Sequence, residues 1–87
     1  MELGKIVAVQ RVKFTFPDNL VVRPIIYELG RDFDIIPNIR RADIRDYEGW
    51  VILELEGTVF EIEKGLLWID SIGIRVDLLS GDVLEGK

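Results

Sequence analysis

The chain has 87 residues and a mass of 10.0 kDa, which fits one small domain and leaves no room for a second core. It is 48% hydrophobic and 31% charged, with 16 Asp and Glu against 11 Lys and Arg for a net charge of -5; that balance reads as globular and argues against a duplex-DNA binder, which needs a dense cationic footprint. The absence of Cys and His excludes disulfides, thiolate metal sites and protein-bound iron–sulfur clusters, and removes the commonest general base.

Residues 5–16 form the first strand candidate. Gln10, Val12, Phe14 and Phe16 fall on one face, Arg11, Lys13 and Thr15 on the other. Pro17-Asp18-Asn19 is turn chemistry and ends it. A helix is expected from Arg23 or Pro24, because proline suits the first helical position. Ile25, Ile26, Leu29 and Phe33 then share a face at helical spacing. Between Asp34 and Ile44, Ile35, Ile36, Ile39, Ala42 and Ile44 suggest a strand, but Pro37 lacks a ladder donor and belongs at an edge or a bulge. After a short loop at residues 46–49, Trp50 to Glu56 alternates, with Val51, Leu53 and Leu55 inward and Trp50, Ile52, Glu54 and Glu56 outward. Gly57 is expected to break this strand. Thr58-Val59-Phe60-Glu61 then matches a capping box, whose hydroxyl and carboxylate each satisfy an orphan backbone donor. The following helix is expected to bury Ile62, Leu66 and Ile69, with Val59 opening the stripe, and to close at Ser71-Ile72-Gly73. Ile74, Val76 and Leu78 mark a last short strand, and residues 80–87 read as a polar tail.

The order strand, helix, strand, strand, helix, strand predicts an α+β fold. With right-handed crossovers it becomes a ferredoxin-like βαββαβ sandwich, a four-stranded antiparallel sheet in the order 4-1-3-2 with both helices on one face. The other sheet face has no helical cover, so it is wet or covered by another molecule. Trp50 and Ile52 project onto it, which marks them as interface candidates, unless Trp50 folds over its own loop. Residues 1–45 carry a net charge of +2 and residues 46–87 a net of -7, which an interleaved sheet spreads over its surface as a solvated face.

Few motifs carry chemistry. Gly81 to Lys87 spells most of a phosphate-binding loop, but the final Ser or Thr is missing and no helix follows, so the match is chance. Glu48-Gly49-Trp50-Val51 faintly resembles an RNA-recognition strand, yet an acid stands where a base is wanted and Glu54 and Glu56 repel phosphates. No nucleic acid partner is expected. The pairs Glu54/Glu56 and Glu61/Glu63 are solubilising or helix-terminal rather than catalytic or metal-binding. No catalytic residues, metal site or cofactor are expected, and the chain reads as a non-enzyme. No apolar run approaches the roughly 18 residues that span a bilayer, so no membrane insertion is expected. The start, Met1-Glu2-Leu3-Gly4-Lys5, lacks a signal-peptide pattern, which makes a cytoplasmic location the default. The most unusual stretch is Pro37-Asn38-Ile39-Arg40-Arg41. It joins an amide and two guanidinium groups to an interrupted strand, where free backbone and donors suit a carboxylate or zwitterion. The alternative is an Asn38 that satisfies local backbone, with both arginines in water.

Pro24-Ile25-Ile26, Phe33, Asn38-Ile39, Gly49-Trp50, Glu54-Leu55-Glu56-Gly57, and Trp68-Ile69 ahead of Gly73-Ile74-Arg75-Val76 together resemble the NIL domain, over residues 5 to about 79. The resemblance implies a single domain over 1–79 with a tail over 80–87. It also implies an ACT-like ferredoxin fold of the kind found at the end of methionine-importer ATPases, where paired domains bind methionine and restrain transport, and beside ferredoxin modules. This chain is similar to the stand-alone kind. Asn38 and Ile39 match the first two letters of the naming motif, whereas Arg40 replaces a usually apolar third. The expectation is therefore a regulatory, amino-acid-sensing homodimer. Its ligand residues are Pro37, Asn38, Ile39 and Arg40, and its interface holds Trp50 and Ile52. The alternative is a ligand-free docking module whose open sheet face binds a ferredoxin or a transporter subunit.

Overall fold

In a computed structural model the described residues are 7–17, 23–45 and 48–79. They form β1 (Val7–Phe16), α1 (Ile25–Asp32), β2 (Ile35–Ile44), β3 (Gly49–Thr58), α2 (Val59–Ser71) and β4 (Arg75–Leu79). The four strands make one antiparallel sheet in the order β2-β3-β1-β4. This is the ferredoxin-like arrangement, with the central pair β1 and β3 in register from Val7 opposite Thr58 to Phe16 opposite Gly49.

Alternation decides which face is dry. Val12, Phe14 and Phe16 of β1 and Val51, Leu53 and Leu55 of β3 are all buried, and they close on Ile25 and Leu29 of α1 and Ile62 and Ile69 of α2. A one-residue slip would turn every one of these side chains to the opposite face, so the hydrophobic pattern itself holds the register. No polar or charged residue is buried among those described.

Several local expectations shift. Pro24 is the N-cap of α1 rather than its first helical residue. Val59 is 47% exposed and does not join the buried stripe of α2. Gly57 does not end its strand, because β3 continues to Thr58. The residue breaks nothing; it makes room, since a Cβ there would lie 2.7 Å from the Asp34 carbonyl oxygen at the start of β2. The capping box is half formed. Thr58 Oγ1 accepts from the Glu61 N–H at 3.1 Å, whereas the Glu61 carboxylate accepts from the Asp34 N–H at 3.1 Å. Thr58 is also the last residue of β3, opposite Val7, so its backbone stands in the sheet rather than in a free capping loop. Glu61 thereby ties α2 to the α1–β2 connection. Thr58→Ala should cost about 1 kcal/mol in urea unfolding, with an unchanged m-value. Residues 5–6, the turn at 18–19, residues 46–47 of the 46–49 loop and the tail at 80–87, with its phosphate-loop-like run, lie outside the described residues.

Candidate functional site

β2 is an edge strand, and its pairing with β3 places every residue of the Pro37–Arg41 stretch. Pro37 and Ile39 lie opposite the buried Leu55 and Leu53, so they share the helix side of the sheet. Asn38 lies opposite Glu54 and belongs to the open face. The register slips between Ile39 and Arg41, so Arg40 is the extra residue of a bulge. Beyond it Arg41 pairs with Ile52, Ala42 with Val51 and Asp43 with Trp50, which restores the alternation. Pro37 is half-buried near Gly30 of α1, whereas Asn38, Ile39 and Arg40 are exposed. The expected ligand residues are thus contiguous but two-sided. Asn38 and Ile39 project to opposite faces, and only a molecule held against the outer edge of β2 reaches both.

On the helix side, the second half of β2 and the start of α1 enclose an apolar groove of about 210 Å³, with Ile39, Ala42 and Ile44 along one wall and Ile26 and Tyr27 along the other. Sequence reasoning missed this groove. Its wall residues stand far apart in the chain, and the bulge sets which side of β2 each one lines. Arg23 stands at the mouth, where its Nε and Nη2 donate to the Glu28 carboxylate at 3.0 and 2.7 Å. That pairing holds the Glu28 carboxyl below the usual carboxylate range. Arg40 and Arg41, by contrast, make no ion pair among the described residues.

The open face has a charged centre. Arg11 Nη2 donates to Glu54 Oε2 at 2.6 Å, between the two central strands. Lys13 stands 5.2 Å over the Trp50 ring. Trp50 and Ile52, the expected interface pair, do lie on this face and are half-buried. The indole is covered from the face itself by Lys13 rather than left bare.

The Arg11 hydrogen bond, reinforced by the charges of Arg11 and then Arg40, lowers the Glu54 carboxyl below its usual range, and burial only partly opposes it. A depressed folded-state pKa stabilises the fold above the unfolded value, and the contribution is lost as pH falls through the folded value. The stability difference between wild type and Glu54→Gln should therefore be level above about pH 5 and shrink on acidification below about pH 4. Denaturant midpoints measured across that range check it; a gap that widens toward acid contradicts the pairing.

Two comparisons bear on kinship. Residues 10–78 match the NIL domain. The chain belongs to the NIL domain family. Among curated proteins none matches. The NIL domain is a regulatory domain type associated with methionine-import ATPases and is typically non-catalytic. Among the described residues no cluster of acidic side chains is placed to hold a metal ion, and no helix is long and apolar enough to cross a membrane.

Proposed function

We propose that this NIL domain is a non-enzymatic regulatory module that binds a small amino acid, methionine-like in shape, at the outer edge of β2 and does so as a homodimer. The observation that carries the reading is the division of labour across that edge. Ile39 and the apolar groove supply a place for an uncharged side chain. Asn38 offers an amide to the polar end, and the guanidinium groups of Arg40 and Arg41, which make no ion pair among the described residues, offer charge to a carboxylate. A ligand touching Asn38 and Ile39 together occupies the strand's free edge, where a second copy completes the enclosure. Ligand binding then favours the paired state through its differential affinity for it.

The alternative, docking of a ferredoxin or transporter subunit on the open sheet face, has to desolvate the Arg11–Glu54 pair at the centre of that face. The β2 edge requires no such cost. Calorimetric titration with a panel of amino acids that includes methionine tests the proposal, together with sedimentation at several protein concentrations. Heat release, a raised dimer fraction with ligand, and loss of both in Asn38→Ala support it. A panel that yields no heat and no thermal shift rejects it, as does a chain that stays monomeric throughout.

A further inference from the structure

A wider groove lies on the opposite flank from the β2 edge. α2 and the edge strand β4 border a shallow, open apolar channel of about 360 Å³, lined by Leu66, Leu67, Val76 and Leu78 together with Glu63 and Asp70. Leu67 is 71% exposed and Leu78 62%. A second groove of about 170 Å³ shares Glu63, Leu66 and Leu78 and carries the channel on toward Ala8 and Val59. The nearby bases are engaged elsewhere: Lys64 pairs with Glu61 at 3.1 Å and Arg75 with Asp77 at 3.1 Å. Glu63 and Asp70 have no ion-pair partner among the described residues. They are the acids that line an apolar groove.

We propose that this channel docks an amphipathic helix of a partner protein, with apolar side chains on Leu67 and Leu78 and basic side chains on Glu63 and Asp70. Charge favours this occupant, because two carboxylates with no ion-pair partner among the described residues, beside exposed leucines, complement a basic, apolar helix face. The spacing selects a helix over a strand. Residues 63 and 70 are two turns apart, about 10.5 Å along the axis. Basic residues seven apart on a docked helix reproduce that separation, whereas same-face residues of an extended strand fall at about 6.6 or 13 Å. A second copy is the weaker occupant. An antiparallel α2–α2 contact sets like flanks together and brings these carboxylates against their own counterparts.

The test uses the full chain and a synthetic amphipathic helix of about five turns, with a leucine seam and lysines seven residues apart, followed by fluorescence anisotropy. The expected result is saturable binding that weakens with salt. It should fall about tenfold or more in the Glu63→Lys, Asp70→Lys double variant and in Leu67→Ser, and stay unchanged in Ile44→Ser on the other groove. All of these positions except Ile44 lie away from the β2 edge, so failure here leaves the amino-acid reading untouched. Absence of saturable binding, or affinity indifferent to the double variant, overturns the proposal. Tighter binding in Leu84→Ser overturns it in favour of the chain's own tail. Loss of self-association in Leu67→Ser overturns it in favour of a second copy.

Discussion

Phe14→Ala is expected to cost about 3–5 kcal/mol, the usual toll for truncating a fully buried aromatic. Phe14 has no exposed surface and lies at the centre of the sheet, opposite Val51 on one side and Val76 on the other. A domain of this size holds on the order of 4–13 kcal/mol in total. The substitution therefore removes a large share of it. The melting temperature should fall by roughly 12–40 °C, at about 4–8 °C per kcal/mol. Neither neighbouring strand can close the gap alone, because β1 is pinned between β3 and β4 along the same residues. A fall of only a few degrees would mean that the helices collapse onto the sheet to fill the space, and that Phe14 does not anchor the packing.

Gly57 gives the second large effect, with a sign opposite to what strand propensity predicts. β-branched residues ordinarily favour a central strand. Here a Cβ would lie 2.7 Å from a backbone oxygen, Asp34 O, and 3.5 Å from the Ile35 Cα. A backbone oxygen at the start of a paired strand cannot swing aside as a side-chain tip does. Gly57→Ala should cost about 1–3 kcal/mol through overpacking, and Gly57→Val at least as much despite its better propensity. The strain falls on the first residues of β2, so the Glu61–Asp34 hydrogen bond should weaken with it. Chemical denaturation of both variants checks the order; a neutral or stabilising valine contradicts the close approach.

The central strands were the most legible part of the sequence, for a physical reason. Each has one face buried by helices and one left open, so hydrophobic side chains appear at every second position of β1 and β3. The cap at Thr58 was readable because a hydroxyl before an apolar helix has few other roles. β2 was harder, since an edge strand carries little burial to impose a pattern. Its isoleucines at 36, 39 and 44 are each more than half exposed, and the bulge at Arg40 changes the phase halfway along. Pro37 did announce the edge. The groove beside α1 was not legible, because it exists only once Ile39 and Ile44 are brought opposite Ile26 and Tyr27. The Arg11–Glu54 pair was equally hidden. Both residues were assigned to the open face, but the alternation excludes only odd slips of the register, and a two-residue slip would keep both on that face without bringing them together. Gly57 was misread because a glycine that ends a strand and one that admits a neighbour look alike in sequence.

Amide chemical-shift mapping during an amino-acid titration tests the β2 edge most directly. The account predicts that a binding amino acid, methionine in the first instance, perturbs Asn38, Ile39, Arg40 and Ala42 together with Ile26 and Tyr27 across the groove, and leaves Leu67 and Leu78 unmoved. Perturbations centred on Trp50 and Glu54 with β2 and α1 silent, or no perturbation by any amino acid at millimolar concentration, would contradict it.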